Sequence, residues 1–227
     1  MKKLFIANKN YSSWSLRAWL LMKELNIEFD EEVKPLVSGQ YWQNYRKFSP
    51  NGKVPCLVDG EQTIWDSLAI MEYLAEENAN VWPTDKNART WSRCASAEMH
   101  SGFPAIRNQC AMNCGLRIKL NHIDEALLHD VSRIDELWQQ GLSEFNGPFL
   151  AGKNFTAVDA MFAPIAFRSQ TFELPFSLKS KSYIDLILSL SSMQDWYTSA
   201  LNEAWREIDH EEEALNSGKL LDDFRND

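Results

Sequence analysis

Residues 51–77 read NGKVPCLVDGEQTIWDSLAIMEYLAEE. Two short apolar runs inside this stretch are joined by Asp59-Gly60, a pair that supplies the positive φ of a tight hairpin turn, so two antiparallel strands are predicted. Pro55 stands at the mouth of the first run. Proline cannot donate to a ladder, and its position suits a turn or a cis peptide that leaves the Val54 backbone free to pair with an extended peptide. Asp66 and Ser67 then precede Leu68, Ile70, Met71 and Leu74 at helical spacing, with carboxylates on the other face, which predicts a helix start. Such an entrance offers N–H groups and a hydroxyl to a ligand carboxylate, and Asp66 can attract an ammonium. The plainer alternative is an ordinary helix cap.

Working outward, KLFIAN (3–8) reads as a buried strand, and from Ser13 the residues Trp14, Leu16, Trp19, Leu20 and Leu25 fall near helical period. EFDEEVKPL (28–36) has the length and place of a second strand, and SGQYWQNYRKFSP (38–50) is a short helical or irregular piece ending at Pro50. The first unit is therefore βαβαββα, spanning about residues 1–77. From 78 to 87 the chain turns polar around Pro83, which marks a linker. Beyond it strand signals almost vanish, and helical periodicity over 88–215 predicts an all-helical second domain. Thr156 and Asp159 have capping-box spacing at one of its helix starts, a folding signal only. Residues 216–227, NSGKLLDDFRND, are expected to be a peripheral tail laid over the surface.

At 227 residues two modest cores are expected, and the formal charge of -9 opposes a nucleic-acid role, because phosphate binding needs a basic surface. No apolar run is long enough to span a bilayer, so a cytoplasmic protein without membrane partners is expected. The cysteines Cys56, Cys94, Cys110 and Cys114 lack a close CxxC pair, and free thiols are the expectation. Cys110 and Cys114, four apart, are read as sharing a helix face and packing in a core, and no metal site is expected. None of the four histidines is nominated for function.

The chemistry lies in Ser12, Ser13 and Ser15, where the first strand hands over to the first helix. A helix start presents amides without intrahelical partners and the positive end of a dipole, and so attracts an anion. A serine hydroxyl there can donate to a thiolate and lower its pKa, without itself being a nucleophile. A simple N-cap is the competing reading. Thiolate site, free backbone edge and α-amino-acid site, taken together, describe glutathione.

At this point YSSWSLR, NGKVPCLVDG, DSLAIMEYL and FTAVDAMFAP resemble the corresponding motifs of the cytosolic glutathione transferase superfamily. The resemblance covers nearly the whole chain and implies a thioredoxin-like α/β domain followed by an all-α domain, with homodimer formation. SSWS is most similar to the serine-type, zeta-like branch, whose motif runs Ser-Ser-Cys-Ser. By position, Ser12 inherits glutathione activation, with Ser13 as its neighbour and Tyr11 as the fallback. Trp14 replaces the motif cysteine, which weighs against maleylacetoacetate isomerase activity. The resemblance also implies that Val54, beside Pro55, pairs with the cysteinyl unit, that Asp66 and Ser67 hold the γ-glutamyl end, and that Gln43 and Lys53 contact the glycine carboxylate. An electrophile site is implied between the domains, along the first helix and residues 98–113. Arg107 or Arg168 could orient an acidic substrate there or serve a structural salt bridge, and Trp14, Phe103 and Met112 could line an apolar pocket or simply be core. The expected activity is attack of the glutathione thiolate on a small electrophile. The alternatives are a zeta-like cis–trans isomerase and a non-catalytic binding protein of the same fold.

Overall fold

The computed structural model describes residues 1–37 and 39–225; Ser38, Asn226 and Asp227, which the helical piece and the tail were expected to include, lie outside the described residues. The first domain runs β1 (Lys2–Ile6), α1 (Ser13–Glu24), β2 (Phe29–Val33), α2 (Tyr41–Tyr45), β3 (Cys56–Asp59), β4 (Gln62–Ile64) and α3 (Ser67–Glu77). This thioredoxin-like order is the one expected. The four strands lie in the order β2-β1-β3-β4. β1 and β2 are parallel, so α1 serves as their crossover, while β3 pairs antiparallel with β1 and β4. Asp59 pairs with Gln62, and Gly60 takes φ +58° at the first residue of the two-residue turn, where a side chain would be strained.

The second part holds α4 (Lys86–Ser101), α5 (Pro104–Gln109), β5 (Leu116–Leu120), α6 (Glu125–Glu144), α7 (Ala157–Phe172), α8 (Leu178–Ser189), α9 (Ser191–Leu201), α10 (Ile208–Asn216) and β6 (Gly218–Asp223). Helix α7 is buried along almost its whole length, as expected of a helix apolar on all sides, and packs on α1, α4, α8 and β5. Trp138 of α6 fills the space beside it, stacked on Phe176 at 5.1 Å and edge-on to Phe162 and Tyr183. Helix α1 is buried from Ser15 through Met22, between the rest of its own domain and helices α7 and α9. The two domains therefore meet along α1, which carries the serines at its entrance.

Two expectations are corrected here. The second domain is not wholly helical: LRIKL (116–120) forms β5, and residues 218–223 of the tail form β6, antiparallel to it. Leu116 and Ile118 face the core at period two while β6 stays exposed, so a five-residue strand with a partner a hundred positions away left no run long enough to read. Cys110 and Cys114 do not share a helix face either, because α5 ends at Gln109 and Cys114 lies in the turn before β5. Both thiols are fully buried, as core packing requires.

Helix α4 starts at the end of the polar stretch, where the Asp85 side chain accepts from the Ala88 amide at 2.8 Å. Replacing a capping carboxylate by alanine costs about 1 kcal/mol. Asp85→Ala is therefore expected to lower the unfolding free energy by that amount, seen as a lower urea midpoint at unchanged slope, and an unchanged midpoint would show the cap to be idle.

Candidate functional site

The segment from Ala7 to Ser12 links β1 to α1, and the second domain fixes its course. Glu203, just beyond α9, accepts from the amides of Lys9 and Asn10 at 2.6 and 3.2 Å. The Lys9 carbonyl takes the Trp196 indole N–H at 2.9 Å, and the Asn10 carbonyl takes the Cys114 amide at 3.2 Å. Burial pushes the Glu203 carboxyl up from its ordinary range, against the pull of those amides. Lys9 Nζ is 2.7 Å from Glu31 and lies over the rings of Trp19 and Trp196. The serines that follow are thus held by contacts from both domains.

Ser12 is the N-cap of α1: its Oγ accepts from the Ser15 amide at 3.4 Å and donates to Ser15 Oγ at 2.7 Å. Ser13 is buried, and its Oγ accepts from Arg168 Nη2 at 3.5 Å. Among the described residues nothing accepts the Ser13 hydroxyl proton, and the Trp14 amide has no backbone or side-chain partner. Tyr11, the fallback, donates its hydroxyl to Glu211 at 2.6 Å and is pushed up to about 12 by burial and by that carboxylate. Its proton is therefore committed away from the serines.

Ser12 and Ser13 open on a cavity of about 260 Å³ lined also by Tyr11, Trp14, Arg107, Met112, Arg168, His210 and Glu213. Trp14 lies between two guanidinium groups, Arg17 at 4.2 Å and Arg107 at 4.8 Å from its ring centre, with His100 edge-on at 5.3 Å. Arg107 donates to the carbonyls of Gly102 and Met99 at the end of α4, and Arg168 donates to those of Ile106, Arg107 and Cys110. Neither forms an ion pair among the described residues. Arg17 is fully buried with Nε and Nη1 unpartnered. Burial first, then the other two arginines, holds Arg17 well below the usual guanidinium range, and burial with Arg107 brings Arg168 down to about 10. Three guanidinium groups without an ion pair among the described residues, set against the one carboxylate of Glu213 in the cavity wall, make this region a seat for negative charge. Phe103 packs in the core and is not among the lining residues.

The other expected site residues lie beyond this cavity. The Val54–Pro55 peptide is cis, and Val54 sits outside the ladder, whose last β1 pairing is Phe5 with Cys56. Asp66 caps α3 by accepting from Leu68 and Ala69, and its other oxygen is 3.1 Å from His100 Nε2. Ser67 Oγ is buried without a partner. Through His100 and Trp14 this second helix entrance is linked to the first. Gln43 on α2 and Lys53 in the following loop are both exposed, and neither touches the cavity.

Sequence reasoning missed Arg17, His210 and Glu213. Arg17 stands one turn inside the apolar face of α1 and could have been found as the lone charge in a buried stripe. His210 and Glu213 come from α10, almost two hundred residues away, and no local signal marks them.

Residues 11–77 match the family described as "Glutathione S-transferase, N-terminal domain". A probable maleylacetoacetate isomerase of Caenorhabditis elegans is 25% identical over 171 residues, covering 73% of this chain and 77% of that protein. A zeta-class glutathione S-transferase of Euphorbia esula is 31% identical over 113 residues, 49% of this chain and 50% of that protein. In structure, a Burkholderia glutathione transferase homologue with bound glutathione superposes with a TM-score of 0.67 at 21% identity, covering 88% of this chain and 97% of the other. Residues 11–77 thus match the glutathione S-transferase N-terminal domain, in a chain that has the two-domain fold of glutathione transferases.

Proposed function

We propose that this chain is a glutathione transferase that holds the glutathione thiolate at the entrance of α1 and sets it against a small electrophile in the adjoining cavity. The observation that carries this reading is the serine pair at a helix N-terminus, opening on a cavity with Arg107 and Arg168 in its wall and Arg17 behind Trp14. An amide, a hydroxyl proton and nearby guanidinium groups all favour an anion over its neutral form. Trp14 and Met112 offer apolar surface to the electrophile, and Arg107 has a place in the wall from which to orient it. Glutathione is the co-substrate. Its cysteinyl backbone pairs with Val54 beside Pro55, Asp66 and Ser67 hold the γ-glutamyl end, and Gln43 and Lys53 lie on the side of the glycine carboxylate. The homodimer and the cytoplasmic location that the resemblance implies belong to the same proposal, as does the division into residues 1–77, a linker at 78–87 and a second domain over 88–215.

Retention on immobilised glutathione tests the reading, followed by ultraviolet titration of the bound thiol. Retention with a depressed thiol pKa supports the transferase. Passage through the column points to a non-catalytic protein of the same fold. A second reading, glutathione-dependent cis–trans isomerisation, has the likeness to the isomerase in its favour and Trp14 against it; turnover of a cis-unsaturated diacid separates the two.

Asp66 gives a sharper test of the γ-glutamyl end. Asparagine caps helices about as well as aspartate but lacks the charge that would meet an ammonium. Asp66→Asn is expected to weaken glutathione binding about tenfold, the size of one charge-assisted hydrogen bond, while leaving the unfolding midpoint nearly in place. Calorimetric titration and a urea curve on the same sample check both halves, and undiminished affinity would remove Asp66 from the site.

A further inference from the structure

Helix α10 contributes His210 and Glu213 to the wall of the serine cavity, and two side chains hold it there. Tyr11, from the segment before α1, donates its hydroxyl to Glu211 and accepts the Glu207 amide at 3.4 Å. Arg225, just beyond β6, donates to the same Glu211 and to Asp223, so the β5–β6 ribbon holds the same turn of α10. In this setting His210 lies 5.3 Å from the Tyr11 ring and lines the cavity with Ser12 and Ser13. Its Nδ1 is 2.7 Å from Glu207 Oε2, and the same oxygen accepts the His210 amide at 2.9 Å. Glu207 is itself 4% exposed. The carboxylate thus fixes the ring and takes Nδ1–H, which leaves Nε2 without a partner among the described residues.

We propose that His210, oriented by Glu207, is the proton-transfer residue of this site and fits it for electrophiles that must gain a proton as the carbon–sulfur bond forms, namely activated alkenes such as enones. The inference rests on the glutathione reading above. In the step, the thiolate sulfur bonds to the β-carbon of the enone, and the electron pair of the carbon–carbon double bond moves to the carbonyl as an enolate. His210 Nε2–H delivers its proton to the α-carbon, and the neutral imidazole is reprotonated through solvent by the proton that the next glutathione thiol loses. Glutathione plus enone gives one saturated adduct, with nothing left over. Arg107 and Arg168 face the same cavity and favour the enolate charge. A substitution that expels chloride needs no such proton.

The test compares two electrophiles on the full-length protein with saturating glutathione: benzylideneacetone, an enone, and chlorodinitrobenzene, which loses chloride. His210→Gln is expected to slow the enone reaction about a hundredfold, the usual weight of a positioned acid, and to slow the chloride-releasing reaction at least tenfold less. The groups facing His210 are Glu207, Glu211 and Glu213 on its own helix, Tyr11, Arg107 and Arg168; Glu207→Gln, which keeps the cap but weakens the hold on the ring, should give a smaller loss with the same preference for the enone. In His210→Ala, added imidazole should restore part of the enone rate. Equal losses on both electrophiles, an unchanged enone rate, or no rescue would overturn the proposal. Failure of the glutathione reading would show separately, as the absence of a thiolate band from glutathione bound to the wild type.

Discussion

Ser13→Ala is expected to raise the thiol pKa of bound glutathione by about one unit and to lower turnover at neutral pH about fivefold, whereas Ser12→Ala should cost mainly helix stability. The difference follows from where the two hydroxyl protons go. Ser12 Oγ already donates to Ser15 Oγ and accepts the Ser15 amide, so it completes the helix start. Ser13 Oγ accepts from Arg168 and has its proton uncommitted among the described residues, in a wall of the cavity. A hydrogen bond that favours the thiolate by about 1.4 kcal/mol lowers the pKa by one unit. Starting from about 8.5 for an ordinary thiol, that bond with the helix dipole and the three arginines brings the thiol near neutrality. Removing it leaves the dipole and the arginines in place, so binding survives and thiolate is lost. Loss of the N-cap in Ser12→Ala should instead appear as about 1 kcal/mol in unfolding. Titration of the thiolate band in both variants is the check. A raised pKa in Ser12→Ala alone would transfer the role to Ser12, and no shift in either would leave both serines as caps.

What the sequence made legible, and what it hid, divides by range along the chain. Asp59-Gly60, Pro55 and Asp66 each act on neighbours within a few residues, so the hairpin, the cis peptide and the cap could all be expected from local spacing. The capping box at Thr156 and Asp159 is equally local. The cavity is not. Ser13 meets Arg168 across 155 positions, and His210 stands at the α1 entrance beside a turn of α10 that Tyr11 and Arg225 hold through Glu211. The β5–β6 pairing hid for the same reason: each strand is short, and only its distant partner makes it a strand. Arg107 shows the limit of reading charge type alone, since the salt bridge that was one of its two readings is absent among the described residues, and its Nε and Nη2 donate instead to the carbonyls of Gly102 and Met99.

Asp159→Ala is expected to have the largest effect on folding and to carry the site down with it. Asp159 is fully buried, and each of its oxygens takes two donors: Leu150 N at 2.9 Å and Tyr183 Oη at 3.0 Å on one, Thr156 N at 2.9 Å and Thr156 Oγ1 at 3.2 Å on the other. Alanine would leave four buried donors without an acceptor, and losses of this kind amount to about 3–5 kcal/mol. Burial pushes the carboxyl up to about 6 even against the four donors that pull it down. A carboxyl raised in the folded state above its unfolded value of about 3.9 adds stability that is full below the lower value and lost as pH rises through about 6. The cost of Asp159→Ala should therefore be greater at pH 4 than at pH 7, by roughly 2 kcal/mol. Urea unfolding of wild type and variant at the two values measures it; a cost that grows with pH would mean that the donors outweigh burial and that the carboxylate is the preferred form. The functional consequence follows from α7, which starts at this box, packs on α1 and carries Arg168 to Ser13. A loosened box frees the helix that faces the thiolate, so any Asp159→Ala protein that folds should bind glutathione with a thiol pKa closer to that of free glutathione.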